Sequence, residues 1–294
     1  MVRCVQLVMG PAGVGKSTYC AALQQHGMVS RQPVHVVNMD PAADALAYEP
    51  AADVRELITV DDVSDELALG PNGALVYCME YVLEDVEWLE EVVTSFVDGD
   101  WVVLDMPGQV ELYTHFECVR ELIRLMERQM EARCCAVFLL DASFLGDASK
   151  FFAGALTAMS AMLQLGVPHL NVLSKVDLVK RRLPDRGVEG EEEPWMVVPG
   201  EEEREEAFEG ALERFLLPDV PALVAELDAK MDARFRALNA RVGALLEDYS
   251  LVQLVPFSST DEEAIADAML QVGMLLQHDE EREVRPQPEW EGTV

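Results

Sequence analysis

The sequence predicts an α/β protein with a doubly wound, mostly parallel β-sheet flanked by helices on both faces. Six short apolar runs rich in β-branched residues are predicted strands: 4–9, 34–39, 101–106, 135–141, 169–174 and 251–257. Their apolarity is continuous and not alternating, which is typical of strands buried on both faces. Segments with apolar residues at helical spacing separate most of them: 15–26, 111–131, 147–165 and 221–247. This alternation favours parallel strands joined by crossover helices.

The composition limits the class of the protein and its partners. The chain has 294 residues, of which 50% are apolar, and this is enough for a substantial core. The formal net charge of -32 argues against nucleic acid or an anionic membrane as a partner, because both would repel the protein. No apolar run is long enough for a signal peptide or a membrane span. The six cysteines show no metal-ligand spacing, so we expect reduced core residues and an intracellular, cytoplasmic or nuclear protein.

Two segments hold much of the excess acid. Residues 184–210 contain eleven acidic residues against two arginines, and residues 279–294 contain six against two. Both compositions are typical of solvated peptide. We therefore predict one domain over residues 1–278, with an acidic insertion at about 184–210, and a flexible acidic tail over residues 279–294.

The first predicted strand leads into a phosphate-binding pattern. Residues 10–18, "GPAGVGKST", match G-x-x-x-x-G-K-[ST] between a predicted strand and a predicted helix. Small residues let backbone N–H groups wrap phosphates, the lysine reaches the terminal phosphates, and the Ser17 hydroxyl binds Mg2+. The predicted nucleotide-binding residues of this loop are Gly13, Val14, Gly15, Lys16, Ser17 and Thr18. The expected ligand is a nucleoside triphosphate with Mg2+.

A carboxylate and a glutamine follow the third run, in "DMPGQVELYTH", residues 105–115. Asp105 stands at the end of a strand, where it can hold the Mg2+ shell, so it is the second predicted metal-site residue. The Gly108 amide can bond the γ-phosphate, and the Gln109 side chain can orient an attacking water. Glu111 is near enough in sequence to contribute, although an acid in the first turn of a helix explains it as well.

Asp40 ends the second run, in "NMDPAAD", residues 38–44. Its carboxylate is placed to position or activate water, or to reach Mg2+ through its shell. The sequence leaves a second interpretation open, in which Asp40 is the N-cap of a helix that begins at "PAADAL".

The fifth run ends in "SKVD", which supplies the candidate base-binding residues Ser174, Lys175 and Asp177. One carboxylate that accepts hydrogen bonds from guanine N1–H and the 2-amino group rejects adenine, which lacks that pair of donors. The Lys175 stem can lie along the base. Most GTPases have Asn or Thr where this chain has Ser174, so the effect of the serine on guanine affinity stays open. "PFSS", residues 256–259, is where a backbone amide would approach the guanine oxygen.

A run of turn formers, Gly70, Pro71, Asn72 and Gly73, lies in "LALGPNGALVY", residues 67–77. By composition alone it predicts an ordinary turn. Helices are expected around residues 53–67 and 84–97, so the turn would lie at a junction between helices, outside the sheet.

The phosphate loop, the D-x-P-G-Q segment, the S-K-V-D segment and the inserted Gly70-Pro71-Asn72 together resemble the GPN-loop GTPases. The resemblance covers nearly the whole chain and is greatest to the third eukaryotic paralogue type. It implies the P-loop NTPase fold with helical insertions, binding of GTP and GDP with Mg2+, and slow GTP hydrolysis. It also implies a dimer in which Asn72 of one protomer enters the active site of the other near the γ-phosphate, so that no arginine finger is required.

The resemblance further implies partners and a location. The partner in the dimer would be a paralogous GPN-loop GTPase or a second copy of the chain. RNA polymerase II subunits would be the clients in polymerase assembly and nuclear import, and the protein would be cytoplasmic with shuttling to the nucleus. Two other functions stay open: a nucleotide-binding assembly scaffold without significant turnover, and a P-loop kinase. Kinases of that type usually carry an arginine-rich lid, whereas the long insertion here is acidic.

Overall fold

The computed structural model describes residues 3–97, 99–178, 210, 216, 219–248 and 254–277, except for the side chains of residues 145, 146 and 248. The strands are β1 (Arg3–Met9), β2 (Val34–Asn38), β3 (Ala52–Asp53), β4 (Trp101–Asp105), β5 (Ala132–Asp141), β6 (His169–Ser174) and β7 (Leu254–Pro256). The helices are α1 (Lys16–Ser30), α2 (Val60–Leu67), α3 (Pro71–Glu84), α4 (Val86–Thr94), α5 (Glu111–Thr114), α6 (Cys118–Gln129), α7 (Ala148–Leu165), α8 (Val220–Lys230), α9 (Arg236–Asp248) and α10 (Glu262–Leu276). Short 3-10 helices lie at Val54–Glu56, Ala142–Gly146 and Ala233–Phe235.

The described strands form one seven-stranded sheet in the order β3-β2-β4-β1-β5-β6-β7. Every pair of neighbouring strands is parallel, so the prediction of a parallel sheet is confirmed. The central strand β1 pairs with β4 on one side and with β5 on the other. Val8 of β1 lies opposite Asp105 of β4, and Asn38 of β2 lies opposite Asp105 as well. The polar residues that end these strands therefore meet at one edge of the sheet.

Helices cover both faces of the sheet, as the continuous apolar runs predict. On one face, Val5 and Leu7 of β1 pack in a cluster with residues of α3 to α8. On the other face, Cys4 and Val8 pack in a second cluster with residues of α1 and α10. Burial of each large apolar side chain stabilises the fold by about 1.5–3 kcal/mol. All six cysteines are buried, as expected for core residues.

The largest difference from the sequence prediction is α3. The turn formers at residues 70–73 start this helix, with Gly70 as the N-cap and Pro71 in the first turn. Proline fits the first helical position because its fixed φ suits the helix and its missing N–H would have no partner there. These residues therefore start a helix and do not form the turn between helices that composition alone predicts, and Asn72 stands at a helix N-terminus.

Smaller differences concern element boundaries. The short strand β3 was not predicted, and the predicted helices at 111–131 and 221–247 are each divided into two. The predicted acidic insertion, apart from residue 210, and the tail at 279–294 lie outside the described residues, so the domain boundaries stay predictions. Within the described residues, no helix has both the length and the apolarity needed to cross a bilayer.

Candidate nucleotide site

The phosphate loop joins the end of β1 to α1. Its backbone is left-handed at Gly13 (φ 73°) and Gly15 (φ 102°), a region that other residues enter only with strain. At Gly10 the constraint is also spatial, since a Cβ there would lie 2.6 Å from the carbonyl oxygen of Leu139 in β5. Lys16 then begins α1, whose N-terminus carries a partial positive charge. Loop and helix together have the form of a phosphate-binding site.

Lys16 concentrates positive charge inside this loop. Its Nζ atom lies 3.3 Å from the carbonyl oxygen of Gly10 and 3.4 Å from that of Pro11. Burial lowers the pKa of Lys16, and the carboxylates of Asp105 and Asp40 offset part of that effect. The folded chain thus holds a poorly hydrated ammonium group, which a phosphate would neutralise.

Ser17 and Asp105 form the candidate metal site. Ser17 Oγ donates a 2.7 Å hydrogen bond to Asp105 Oδ2, and the Tyr48 hydroxyl donates a 3.0 Å bond to the same oxygen. Burial raises the pKa of Asp105, and these two hydrogen bonds oppose the shift. Asp105 Oδ1 is buried without a hydrogen-bond partner among the described residues.

These oxygens fit Mg2+ as the cofactor. Mg2+ prefers oxygen ligands and keeps several waters, and a buried carboxylate oxygen without a protein partner can accept from one of those waters. Ser17 Oγ keeps its lone pairs for the metal, because its proton is directed to Asp105. Across the described residues no three histidine, cysteine or acidic side chains are grouped as a metal site. A metal at Ser17 would therefore depend on phosphate oxygens for much of its coordination.

Asp40 lies in a tight turn and not at a helix start. Its Oδ1 atom accepts a 3.0 Å hydrogen bond from the backbone N–H of Ala42, and no helix begins within residues 41–51. The helix N-cap interpretation is therefore wrong. Burial raises the pKa of Asp40, and the Ala42 hydrogen bond, Lys16 and Arg55 oppose the shift. A buried carboxylate with a raised pKa is a stronger base than an exposed one.

A polar network holds the Asp40 turn against β2 and β3. Asn38 accepts from the Asp40 backbone N–H through Oδ1 at 3.1 Å and donates to Asp53 Oδ1 through Nδ2 at 2.8 Å. Arg55 Nε lies 3.0 Å from both Asp53 oxygens, and Arg55 Nη1 donates to the Ala43 carbonyl oxygen at 2.8 Å. Burial alone would raise the pKa of Asp53, but the bonds from Arg55 hold it below its usual value. The turn is thus fixed by the protein without help from a ligand.

Gly108 packs directly on the phosphate loop. A Cβ at Gly108 would lie 3.0 Å from Ala12 Cα and 3.2 Å from Lys16 Nζ. The next residue, Gln109, donates from Nε2 to Asn72 Oδ1 at 2.9 Å. Gln109 and Asn72 are therefore in contact within one chain, whereas the family resemblance implies that Asn72 enters the active site of a partner.

The Gln109–Asn72 pair lies in an open cleft of about 470 Å3. Glu111 also lines this cleft, so the structure brings it near Gln109, at the exposed start of α5. Much of the remaining wall is apolar and exposed, with Leu69 38%, Tyr77 40% and Phe116 41% accessible to solvent. Exposed apolar surface of this kind next to functional side chains is typical of an interaction site.

A second cleft, of about 270 Å3, is the candidate site for the base of a nucleotide. It lies between the phosphate loop and the ends of β6 and β7. It brings together predicted residues from distant parts of the sequence, namely Val14, Gly15, Thr18, Ser174, Lys175 and Asp177, together with Phe257 and Ser259. The "PFSS" segment is thus next to the base cleft, as its place after the last strand predicts.

The residues before Asp177 brace the phosphate loop. Ser174 is buried, and its Oγ donates to the Val14 carbonyl oxygen at 2.7 Å. Lys175 Nζ contacts the Gly13 carbonyl oxygen at 2.6 Å and Asp141 Oδ2 at 2.8 Å. The serine therefore retains a structural role at this position through its hydroxyl.

Replacement of Gly108 by alanine tests its contact with the phosphate loop. The added methyl group would force Ala12 or Lys16 to move, and it would fill space beside the Lys16 ammonium. We expect GTP affinity to fall about 5- to 150-fold, which corresponds to the roughly 1–3 kcal/mol of an overpacked site, with a smaller loss for GDP. Equilibrium binding of both nucleotides measures this difference.

Gly273→Ala is the matched control for that variant. A Cβ at Gly273, in α10, would meet Trp101 only at an ordinary 3.6 Å. We expect its nucleotide affinities to equal those of the wild type. Equal loss of GTP and GDP affinity in Gly108→Ala would contradict a specific role near the γ-phosphate.

Sequence reasoning missed three contributors to this site. Asp141 stood at the end of a predicted strand, which is the same signal that identified Asp105. The Asp53–Arg55 pair lies in a segment assigned to a helix, and Tyr48 is a single aromatic residue in an irregular segment. Neither of these two features has a local pattern that predicts its contacts.

Comparison with known proteins agrees with this geometry. A family model described as "Conserved hypothetical ATP binding protein" matches residues 8–278. The chain is 41% identical over 283 residues to GPN-loop GTPase 3 of Mycosarcoma maydis, covering 96% of this chain and 95% of that protein. It is 39% identical to GPN-loop GTPase 3 of Saccharomyces cerevisiae over 285 residues, covering 96% of both chains.

A solved structure shares the fold. The apo form of a GTPase from Pyrococcus abyssi superimposes with a TM-score of 0.67 at 24% identity, over 92% of this chain and 97% of that one. This similarity supports the P-loop α/β architecture, and the sequence relatives define the family. With its phosphate loop, Asp105 and the Gly70-Pro71-Asn72 segment in place, the chain belongs to the GPN-loop GTPase family.

Proposed function

We propose that this protein binds GTP with Mg2+, hydrolyses it slowly, and acts as a molecular switch in a dimer. The observation that carries the proposal is the 2.9 Å hydrogen bond from Gln109 Nε2 to Asn72 Oδ1. Nucleotide binding alone does not require this contact. It connects Gln109, which is suited to orienting water, with Asn72 of the Gly-Pro-Asn segment. Gln109 directly follows Gly108, which packs on Lys16.

Each group in the site has a separate task in the proposed reaction. Lys16 and the N–H groups of the phosphate loop hold the β- and γ-phosphates, and Ser17 and Asp105 hold Mg2+ and its water shell. When bound, Mg2+ neutralises charge that develops on the phosphate oxygens. Gln109 orients the attacking water, and Asp40 is the candidate to accept its proton, because its pKa is raised by burial.

Asn72 supplies a neutral amide for the same reaction. In phosphoryl transfer the main catalytic task is to stabilise charge on the γ-phosphoryl oxygens, and an amide donor can meet part of it. Within one chain Gln109 engages only Asn72 Oδ1, so the Asn72 Nδ2 donors stay available to a phosphate oxygen or a water in the partner's site. Glu111 lines the same cleft as these two amides.

The exposed apolar wall around Asn72 supports the proposal of a dimer. Leu69, Tyr77 and Phe116 would be covered by a second chain that brings its own Asn72 towards the nucleotide. The second chain is either a paralogous GPN-loop GTPase or another copy of this one. From the family resemblance we further propose a role in assembly and nuclear import of RNA polymerase II, by a cytoplasmic protein that shuttles to the nucleus.

A scaffold without turnover is the second candidate. The exposed apolar wall of the Asn72 cleft favours it, because Leu69, Tyr77 and Phe116 can bind a partner whether or not GTP is hydrolysed. The direct test is an assay of phosphate release from GTP by this chain alone and with candidate paralogues, with dimerisation followed by light scattering. Turnover that rises with dimer formation supports the switch. Tight GTP binding without phosphate release under every condition selects the scaffold.

Base specificity needs its own test, because the description of the matching family model names ATP, whereas the relatives are named GTPases. Asp177 lines the base cleft, where a carboxylate can accept both guanine donors. We expect GTP to compete for the site at least a hundredfold better than ATP, and Asp177→Ala to remove most of that preference. A hydrogen bond to a charged group contributes about 1.5–3 kcal/mol, so the loss of two accounts for this factor.

Competition between unlabelled nucleotides and a fluorescent GDP derivative measures the preference. Ser259→Ala is the control, because Ser259 lines the same cleft but carries no charge. Retention of the preference for GTP in Asp177→Ala would contradict the assignment of Asp177 to the base.

A further inference from the structure

Tyr48 is an unassigned residue in direct contact with the candidate metal-site carboxylate. Its hydroxyl donates a 3.0 Å hydrogen bond to Asp105 Oδ2, and its side chain is 8% exposed. Ser17 Oγ donates to the same Oδ2 atom at 2.7 Å. Two protein donors therefore converge on one carboxylate oxygen.

This convergence makes the two oxygens of Asp105 unequal. Oδ2 has two protein donors, whereas Oδ1 is buried and has no hydrogen-bond partner among the described residues. Rotation of the carboxylate about its Cβ–Cγ bond would break both donated bonds. Since Ser17 is itself a candidate metal ligand, Tyr48 is the donor that holds Oδ2 from outside the metal site.

The segment that carries Tyr48 is fastened to α1. Gln24 Nε2 donates to the Glu49 carbonyl oxygen at 2.7 Å, and the Glu49 N–H donates to Gln24 Oε1 at 3.2 Å. Two residues further on, the Ala51 N–H donates to the Val36 carbonyl oxygen of β2 at 2.7 Å. Helix α1 begins at Lys16, so one helix carries the phosphate-binding lysine and also anchors the tyrosine.

We propose that Tyr48 is a positioning residue for magnesium: its hydroxyl fixes Asp105 so that Oδ1 remains available to the metal's water shell. This inference rests on the proposed Mg2+-dependent GTP site. The irregular segment between β2 and β3, which carries Tyr48, would thus prepare the metal site before nucleotide binds. In this role Tyr48 would act only through Asp105.

The test is Tyr48→Phe, which removes the hydroxyl and keeps the buried ring. The rate of release of a fluorescent GDP derivative is measured over a MgCl2 titration and also in excess EDTA. We expect the half-saturating Mg2+ concentration to rise about tenfold, which is the loss of one hydrogen bond to a carboxylate. In EDTA the release rate should match the wild type, and saturating Mg2+ should restore the rate of GTP hydrolysis.

Tyr81→Phe is the control, because Tyr81 is 37% exposed on α3 and loses the same hydroxyl. Gln24→Ala is a second variant, at a half-buried position, which loosens the anchor at Glu49, and a smaller shift in the same direction is expected. An unchanged half-saturating Mg2+ concentration in Tyr48→Phe overturns the inference. A release rate that differs from that of the wild type as much in EDTA as in Mg2+ also overturns it. If the wild type itself shows no Mg2+ dependence, the proposed metal site fails instead.

Discussion

Replacement of Lys16 by methionine is expected to lower GTP affinity about a hundredfold or more while leaving the ligand-free protein as stable as before. Two charge-assisted hydrogen bonds from an ammonium group to phosphate contribute about 3 kcal/mol, which corresponds to that factor in Kd. Burial lowers the pKa of Lys16, so the folded state is penalised for holding this charge. Methionine keeps the apolar stem and removes the charge, and Tm without nucleotide should be equal or higher.

Thermal unfolding with and without GTP and Mg2+ measures both effects in one experiment. The wild type should gain stability from the nucleotide by mass action, and Lys16→Met should lose most of that gain. Lys150→Met, at an exposed position of α7, is the control and should retain it. A ligand-free Tm that falls by many degrees would show that Lys16 stabilises the fold, contrary to the direction of its pKa shift.

Replacement of Asn72 by alanine is expected to lower the rate of GTP hydrolysis about 10^2–10^3-fold with little change in GTP affinity. This is the usual effect of removing one donor that stabilises charge in the transition state. Gln109→Ala should have an effect of similar size. Because Gln109 Nε2 and Asn72 Oδ1 are in contact, the double variant should be much less impaired than the product of the two single effects.

Asn72→Asp separates two roles of the amide. Aspartate keeps an oxygen that accepts from Gln109 but has no N–H donor. If Asn72 only orients Gln109, activity should survive in Asn72→Asp; if it donates to phosphate or water, activity should be lost as in Asn72→Ala. We expect the loss. Unchanged turnover in Asn72→Ala would remove Asn72 from the mechanism altogether.

A mixture of two inactive variants tests whether Asn72 acts across a dimer. Protomers with Asn72→Ala keep an intact phosphate site, and protomers with Lys16→Met keep an intact Asn72. In a mixed dimer, the Asn72 of one protomer can serve the intact site of the other, so activity should return on mixing. No recovery, despite mixed dimers detected by size, would place the action of Asn72 within its own chain.

The strongest sequence predictions were those whose chemistry is local. The phosphate loop follows β1 directly, Asp105 ends β4 and Gly108 lies three residues further on, and parallel strands place such residues at one edge of the sheet. The approach of Asn72 to Gln109 joins positions 37 residues apart, and it depends on how α3 packs. No local pattern contains that information.

The missed helix α3 has a specific physical reason. Glycine, proline and asparagine in succession are typical of turns, but proline in the first turn with glycine as N-cap is equally typical of a helix start. Buried residues of the following stretch, such as Cys78, Met79 and Val82, decide between them by packing in the core. Tyr48 was missed for a related reason, because a single aromatic residue in an irregular segment forms no periodic sequence pattern.

Because Asn72 lies in the first turn of α3, a displacement of its backbone is coupled to the rest of the helix. The helix has 14 residues, so it is about 21 Å long at 1.5 Å per residue. A tilt of about 5° about its N-terminus would displace Glu84 at the far end by about 2 Å, by the geometry of that length. Helix α4 begins almost at once, with Asp85 as its N-cap. A change at the γ-phosphate that shifted Asn72 would thus tilt α3, and the tilt would change the surface at the far end of the helix, away from the nucleotide.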